Sequence, residues 1–437
     1  MLRLRQLIIH RFRDVVPGTE LHFHDGVNVV LGASGTGKTM LLDLVSMVLR
    51  FDFEPLAGQA FHIEFELEYL TPSPPCSIHG QVTGRPYERG SSALRGHTGG
   101  RADGYQDARI AITVDGDEPD YVLEQQDGTV RLQYDGQTLG SWRARSSVSW
   151  WSWRAAFLVG DRDVSPRSGS HVLPLFLWLA FQHFRAYRFD EGLGGFEDLV
   201  ADRRRGPARD SRSIILVRNP SPTDAAWIDQ AMGFFPLTLW RGTRKLLERS
   251  PGATTLSFEH PELPFLDRMV RLSGFEAARM ELSLLDRYTS GAGVEETRFG
   301  NYQFFFIRRQ GTQTLGHDSL SYGQKRLLAL LYYLEANPDL IVADELVNGM
   351  HQSWLTTIMT EITERQAFLS CANPHLLEHI TYGSVAALQD GIILCGSDEH
   401  HRTTWRNLGP EQAQAAFDSY DAGAQRIADC LPEMRLW

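Results

Sequence analysis

The sequence predicts an α/β fold with a mixed central sheet, an antiparallel β-subdomain and a large helical insertion. A wholly apolar strand, Val27–Leu31, leads into a glycine-rich loop and then an apolar helix over 40–49. Strict alternation of polar and apolar residues over 62–69 is typical of a sheet with one solvated face. A second apolar strand, within 339–345, ends in two carboxylates and follows an apolar helix. Strands that alternate with helices in this way favour an α/β architecture.

The glycine-rich loop after Val27–Leu31 carries the most informative motif. It fits G-x-x-x-x-G-K-[ST] in full with Gly32, Ala33, Ser34, Gly35, Thr36, Gly37, Lys38 and Thr39. Such a loop presents backbone N–H groups and a helix N-terminus to the phosphates of a nucleotide. We expect Lys38 to reach the β- and γ-phosphates and the Thr39 hydroxyl to hold Mg²⁺. The alternative interpretation is a chance glycine-rich turn.

Length and composition narrow the class of protein. At 437 residues the chain is long enough for more than one domain, and its hydrophobic content of 42% is ordinary for a globular protein. No apolar run is long enough to span a bilayer, and the charged segment 1–6 is unlike a signal peptide. We therefore expect a cytoplasmic protein with no membrane partner. The cysteines are expected to be free thiols, since Cys76, Cys371, Cys395 and Cys430 form no metal-ligand spacing.

Charge gives no strong indication of nucleic-acid binding. The net charge is −11, whereas a protein that grips a phosphate backbone usually carries a basic face. One basic run stands out, formed by Arg203, Arg204, Arg205, Arg209 and Arg212. It indicates either a contact with nucleic acid or an acidic partner, or simply a solvated surface, and the solvated surface is favoured.

The predicted elements divide the chain into four segments: 1–160, 161–310, 311–400 and 401–437. In the first, strands are predicted over 4–13, 20–24, 62–69, 111–114 and 128–134. A long loop is predicted over 71–110 because the stretch is rich in Gly, Ser, Pro and Arg, and 135–136 is predicted to form a hairpin turn. The antiparallel β-subdomain thus extends to about residue 145.

The second segment, 161–310, is predicted to be mostly helical, with helices over 173–184 and 238–248 and a helix entry at 220–224. The last segment is predicted to be a tail with one or two helices after Pro410. That tail either packs on its own domain or docks a partner. A tryptophan cluster precedes the insertion at Trp142, Trp150, Trp151 and Trp153, and packing is favoured there over stacking on an adenine ring.

Two further motifs lie near residue 330. The run 339–345 is an apolar strand ending in Asp344 and Glu345, the Walker B arrangement. Asp344 is expected to organise Mg²⁺, and Glu345 to orient or deprotonate the attacking water. The run 320–326, Leu-Ser-Tyr-Gly-Gln-Lys-Arg, opens the helix before that strand.

In this order the motifs identify a family. The run 320–324 matches the ABC signature Leu-Ser-x-Gly-Gln, and it precedes Walker B by about one helix, as the ABC layout requires. The chain therefore resembles an ATPase of the ABC superfamily. The opening run 8–13, Ile-Ile-His-Arg-Phe-Arg, and the long span from Lys38 to Ser321 resemble the branch with RecF, SMC heads and the overcoming-lysogenization-defect-type AAA-like proteins. The resemblance covers roughly 1–70 and 311–395.

The resemblance implies an ABC-type ATPase head that binds ATP and Mg²⁺. Lys38 and Glu345 would be catalytic, and Thr39 and Asp344 would hold the metal. Signature residues act on the γ-phosphate of a nucleotide bound by another subunit, so the chain would pair with itself through ATP sites. Nucleotide contacts are expected from the P-loop and from Ser321, Gly323, Gln324 and Asn373. For Ser321 the alternative is a plain helix N-cap.

The chain departs from the pattern of this branch in three places. Ser34 stands where relatives often have Asn, and 346–352 does not resemble their D-loop. In the switch segment, Ala372 stands where relatives place a His that senses the γ-phosphate. Asn373 or His375 are the candidates to replace it. We therefore expect slow hydrolysis, with ATP acting as a clamp.

Two functions follow as hypotheses. The first is an ATP-driven sensor or scaffold that controls a partner effector such as a nuclease, a role that the resemblance suggests in antiviral defence of bacteria. Outside the ATPase motifs the sequence indicates no acidic nuclease cluster, no zinc set and no Ser-His-Asp set. The alternative is a RecF-like DNA-binding repair or maintenance ATPase, with contacts supplied by the arginine run at 203–212.

Overall fold

The computed structural model describes residues 2–70, 76–86, 105–113, 121–143, 189, 214–218, 235–289, 295–309, 313–346, 348–371, 374–423 and 426–433. The chain divides into two compact units. The first unit comprises Met1–Ala186, Val342–Leu346 and Met359–Trp437, and the second comprises Tyr187–Ile341 and Val347–Ile358. The four segment boundaries expected from the sequence stay a prediction.

The strands, in chain order, are β1 Leu2–Phe12, β2 Thr19–His22, β3 Val27–Leu31, β4 Phe61–Tyr69, β5 Cys76–Arg85, β6 Tyr105–Thr113, β7 Tyr121–Gln126, β8 Thr129–Tyr134, β9 Gln137–Arg143, β10 Ile214–Arg218, β11 Thr255–Glu259, β12 Phe275–Thr289, β13 Glu295–Arg308, β14 Thr314–Gly316, β15 Leu340–Ala343, β16 Gln366–Cys371, β17 Ile392–Ser397 and β18 Thr403–Asn407. The helices are α1 Lys38–Arg50, α2 Leu237–Arg249, α3 Pro264–Ser273, α4 Tyr322–Ala336, α5 Gln352–Ile362, α6 Val385–Gly391, α7 Pro410–Asp421 and α8 Ile427–Glu433.

An eight-stranded antiparallel sheet dominates the first unit, in the order β2-β1-β4-β5-β6-β7-β8-β9. Every second residue of β4 is buried, and the polar residues between them face outward, which confirms the alternation predicted over 62–69. The predicted turn at 135–136 joins β8 to β9, and both residues have positive φ, as a tight hairpin needs.

The long loop predicted over 71–110 is wrong in part, because β5 and most of β6 lie within it. Glycines made this stretch look like loop. In the sheet, Gly80 pairs with Phe65, and the ring of Phe65 covers the place where a side chain on Gly80 would stand. An aromatic ring on the neighbouring strand thus replaces the missing side chain.

A five-stranded mixed sheet carries the order β15-β16-β3-β17-β18. Strand β3 is buried along its whole length and lies parallel to β16 on one side and to β17 on the other. Strand β18 pairs antiparallel with β17, so the last predicted segment, 401–437, begins with a strand at Thr403–Asn407 that was not predicted. One or two helices were expected after Pro410, and two are observed, α7 and α8.

Among the described residues of 161–310, strands cover more of the chain than helices, so the prediction of a mostly helical insertion is wrong for this part. Four strands form an antiparallel sheet in the order β10-β13-β12-β11, with β14 beside β13. The apolar run 304–307 of β13 is ambiguous by periodicity, and the pairing of β13 with β12 decides for strand. The helix predicted over 238–248 is confirmed as α2. The predictions at 150–153, 173–184, 203–212 and 220–224 lie outside the described residues.

The core of the second unit is built from aromatic rings, and one carboxylate links the helices around it. The rings of Phe265, Tyr302 and Tyr332 pack edge to face. Glu335 of α4 accepts hydrogen bonds from the hydroxyl of Thr238 and, at 2.6 Å, from the backbone N–H of Phe265. One side chain therefore joins α4 to the starts of α2 and α3, which holds the signature helix in place.

The four cysteines are free and buried, as expected. In the part of the chain described above, none of the helices has the length and the hydropathy that a bilayer span requires.

Candidate functional site

The glycine-rich loop lies between the end of β3 and the start of α1, in the centre of the mixed sheet. Its crown, Ala33 to Gly35, is exposed, while Gly32 before it is buried. Gly37 precedes the helix with φ of 85°, a conformation that favours glycine. The first turn of α1 has no acidic side chain, so its N–H groups and its dipole are presented to an anion without competition from a carboxylate on the helix.

Lys38 is folded back onto this loop. Its ammonium group is buried and donates to the carbonyl oxygens of Gly32 and Ala33, each at 2.9 Å. The carbonyl oxygens of the loop therefore hold the Lys38 ammonium group at the edge of the loop. A phosphate oxygen is a stronger acceptor for an ammonium than a neutral carbonyl, because both partners are then charged.

The two distant halves of the predicted site meet at Thr39. Its hydroxyl donates to Asp344 Oδ2 at 2.5 Å. The other oxygen of Asp344 accepts a hydrogen bond from the Ser370 hydroxyl, and Ser370 Oγ accepts from the backbone N–H of Glu345 at 3.0 Å. Thr39, Asp344, Ser370 and Glu345 thus form one continuous hydrogen-bond chain within the first unit.

Ser370 is a site residue that the sequence did not single out. It is fully buried at the end of β16, and it pairs in register with Val30, two residues before the glycine-rich loop. Strand β16 lies beside β15 in the sheet, and this brings Ser370 to Asp344, which directly follows β15. The sequence signal that could have identified Ser370 is a hydroxyl near the end of a mostly apolar strand.

Glu345 has a strained backbone, with φ of 47° for a residue other than glycine. Such a conformation costs on the order of 1–3 kcal/mol and is found preferentially at functional sites. Its N–H bond to Ser370 holds the residue in this conformation. The predicted water-activating residue is therefore fixed by the same serine that holds Asp344.

The far side of the loop is closed by β17 and β18. Cys395 lies against Gly32, and Trp405 and Thr403 lie against Gly37. The Trp405 indole nitrogen is buried and has no hydrogen-bond partner among the described residues. We name the set 32–39, Asp344, Glu345 and Ser370 the Walker region.

The signature residues lie in the second unit, at the start of α4. Ser321 is the N-cap: its hydroxyl accepts from Gln324 N–H at 3.3 Å, and the Gln324 side chain accepts from Ser321 N–H at 3.0 Å. This capping box fits the alternative that the sequence left open for Ser321. The cap leaves Ser321 exposed, so capping and a contact with a second subunit are compatible.

Gly323 packs against the segment that follows Walker B. A Cβ added there would lie 2.7 Å from the carbonyl oxygen of Gly349, so only glycine fits. Tyr322 beside it is 70% exposed. We name 320–326 together with 348–352 the signature region. Asn373 lies outside the described residues, and of His375 only the backbone is described, within the 3-10 helix Pro374–His379.

The chain matches no protein-family model and no curated protein. Similar solved structures include SMC head domains and RecF. The SMC head bound to the C-winged helix domain of ScpA has 12% identity and a TM-score of 0.42 over 94% of this chain and 99% of that chain.

The SMC head domain from Thermotoga maritima has 11% identity and a TM-score of 0.36, over 93% and 99% of the two chains. The recombination mediator protein RecF-ATP has 12% identity and a TM-score of 0.28, over 85% and 94%. SMC heads and RecF are two of the three kinds of protein that the sequence resembles. All three TM-scores are below 0.5, and the function proposed below rests on the contacts of the site itself.

Proposed function

We propose that the chain is an ABC-type ATPase that binds and hydrolyses ATP. One observation carries the proposal: the Thr39 hydroxyl bonds to Asp344 at 2.5 Å, which joins the phosphate-binding loop to the Walker B carboxylate. The two residues are far apart in the sequence, and the bond requires that β15 and β3 end at the same edge of one sheet. Ligands of open α/β sheets bind at that edge.

The donor set fits a hydrated Mg²⁺ ion. A threonine hydroxyl and a carboxylate are hard oxygen ligands, and Mg²⁺ is held in nucleotide sites by one or two such groups together with phosphates. Mg²⁺ bound there would neutralise charge on the β- and γ-phosphates. Lys38 and the N–H groups of the loop would bind the same phosphates, and Glu345 would orient the attacking water.

The exposed position of the signature residues supports the assembly of two chains. Ser321 and Tyr322 are exposed at the start of α4. In the ABC layout these residues complete the nucleotide site of a second copy, so two chains would enclose two ATP molecules head to tail. ATP binding then becomes a change in quaternary structure, and hydrolysis reverses it.

We further propose that this assembly acts as a sensor or scaffold that controls a partner effector, such as a nuclease, in bacterial phage defence. The family resemblance suggests the role. The described residues contain one group of three or more His, Cys, Asp or Glu side chains that could hold a metal. This group is not an acidic cluster of the kind expected in a nuclease, which is consistent with a separate effector.

The experiment is to purify the chain alone and to measure its mass and its phosphate release with ATP, Mg²⁺ and duplex DNA. We expect slow phosphate release, a doubling of mass with ATP and intact DNA. Failure to bind ATP would overturn the ATPase proposal, and efficient DNA cleavage without a partner would overturn the scaffold role.

The RecF-like alternative makes a different prediction. A DNA-binding repair or maintenance ATPase would bind a duplex, a gap or an end with an affinity that falls steeply with salt. The arginine run at 203–212, which would supply the contacts, lies outside the described residues. Binding that is lost when these arginines are changed to serine would favour the alternative; no binding to any of the three DNA forms would exclude it.

A further inference from the structure

Two histidines and a glutamate meet on the solvated face of the large antiparallel sheet, away from the Walker region. Strand β1 pairs with β4, and the register shifts by one residue between Ile9 and Arg11. His10 and Arg11 together oppose His62 at this bulge, and His10, which follows the buried Ile9, lies on the outward face. The two imidazole rings stack with centroids 4.4 Å apart and an interplanar angle of 30°.

The ligand atoms of this cluster converge. His10 Nε2 lies 3.1 Å from Glu64 Oε1, and His62 Nε2 lies 3.7 Å from the same oxygen. All three atoms lie within 4.8 Å of one another. For a tetrahedral ion with bonds of about 2.05 Å, ligand atoms are separated by about 3.3 Å. The two measured distances lie on either side of that value, so small side-chain rotations would produce the required geometry.

The neighbouring strand shows where an ion would sit. The Gln81 amide nitrogen on β5 lies 2.9 Å from His62 Nε2 and 3.0 Å from Glu64 Oε1. An amide N–H can only donate, so in this orientation both atoms direct lone pairs at one positively polarised group. A cation at that point would take the place of the amide hydrogens. The amide oxygen, after a flip of the side chain, or water would complete the ligand shell.

The donor types select the class of ion. Two imidazole nitrogens and one carboxylate suit Zn²⁺, Co²⁺ or Ni²⁺, whereas Mg²⁺ and Ca²⁺ prefer oxygen donors alone.

We propose that His10, His62 and Glu64 bind one divalent ion of the zinc class, which joins β1 to β4 across the bulge. The sequence indicated no zinc set because the phosphate-binding loop and α1 separate the two histidines along the chain. Only the pairing of β1 with β4 makes them neighbours.

The test is a Co²⁺ titration of the untagged, nucleotide-free chain in millimolar Mg²⁺, followed by visible absorption and calorimetry. We expect one equivalent of bound Co²⁺ with the absorption bands of a four- or five-coordinate site, and competition by Zn²⁺. H10Q and H62Q should each weaken binding at least about tenfold, since even loss of a group outside the ligand shell costs that much.

H79Q is the matched control, because His79 lies on the same sheet face and contacts Ser77 rather than the cluster. This variant should bind Co²⁺ like the unchanged chain. The proposal is overturned if Co²⁺ does not bind, or if H10Q and H62Q bind it as tightly as H79Q does. Since His10 is exposed and His62 partly so, we expect both variants to fold.

Discussion

The Walker region and the signature region carry equally recognisable motifs but differ in how their polar groups are bonded. In the Walker region, Lys38, Thr39, Asp344 and Ser370 bond to one another or to the loop, and Lys38 and Ser370 are buried. In the signature region, Ser321 and Gln324 bond in a local cap and the neighbouring Tyr322 stands 70% exposed. One region is organised within a single chain, and the other presents an open surface.

This difference teaches how the two regions would share the work. A preorganised site needs no rearrangement to stabilise developing charge, which is the usual source of catalytic power. An exposed helix start can serve as an interface without a loss of helix stability, since the cap already satisfies its N–H groups. We therefore expect changes in the Walker region to affect chemistry and changes in the signature region to affect assembly.

The largest expected effect is that of E345Q. Loss of the carboxylate should lower phosphate release by roughly 10²–10⁴-fold, the range for a general base, while ATP binding is retained. Single-turnover assays with excess protein measure the rate, and mass with ATP measures assembly. The matched control is E364Q, an exposed glutamate beyond α5 in the same unit. Equal turnover in the two variants would remove Glu345 from the mechanism.

K38A should have the second largest effect. Removal of the ammonium group should lower the rate of hydrolysis by roughly 10²–10³-fold, the range for one lost charge-stabilising donor. Unlike E345Q, it should also weaken ATP binding, because Lys38 is expected to contact the ground-state phosphates. A fluorescent ATP analogue measures the affinity. K245A, an exposed lysine on α2, is the control and should behave as the unchanged chain.

The signature region is tested by separating the cap from the interface. S321A removes the hydroxyl that serves both as helix cap and as interface group, and it should lower the free energy of unfolding by about 1 kcal/mol. S321D keeps a capping carboxylate, so stability should be retained, but its negative charge should prevent approach to a second copy's triphosphate. Mass with ATP, measured in the E345Q background, should therefore stay that of a single chain.

The control for S321D is S384A, which removes the cap of α6, where Ser384 Oγ accepts from Ala387 N–H at 3.1 Å. It should reduce stability slightly and leave assembly intact. If S321D assembles with ATP as readily as S384A, Ser321 is a helix cap alone and the difference between the two regions is not functional.

A smaller effect is expected for S370A. The serine holds Asp344 and the backbone of Glu345, so its loss should raise the Mg²⁺ concentration needed for half-maximal activity and lower the rate about tenfold. S46A, a buried serine on α1, controls for general destabilisation. A loss of stability in S370A with an unchanged Mg²⁺ requirement would show that Ser370 is structural only.

Sequence alone could predict those parts of the site that are contiguous in the chain. The glycine-rich loop, its flanking strand and helix, and the Walker B strand within 339–345 were each predicted with bounds close to those observed. Each is a short segment whose apolar pattern and flanking residues agree with its final structure. Agreement of local preference with the fold is what makes a segment predictable.

The features that escaped prediction depend on pairing between distant strands. β5 contains glycines that need the rings of β4, and β12 and β13 are strands chiefly because they pair with each other. Ser370 reaches Asp344 because β16 lies beside β15, and His10 meets His62 through the pairing of β1 with β4. None of these partners can be read from a local pattern, since the side chains that decide the structure belong to another segment.

The smallest expected effect concerns the thiol next to the phosphate-binding loop. Burial raises the pKa of Cys395 to about 12, although the charge of Lys38 opposes the shift. At pH 8 the thiolate fraction is then roughly 10³-fold below that of an ordinary cysteine, so iodoacetamide should alkylate Cys395 very slowly. Peptide mass spectrometry with and without ATP measures the modification. Cys76, whose pKa burial raises to about 11, serves as the reference. Rapid labelling of Cys395 alone would mean that β17 separates from the loop in solution, and the Walker region would then be no better preorganised than the signature region.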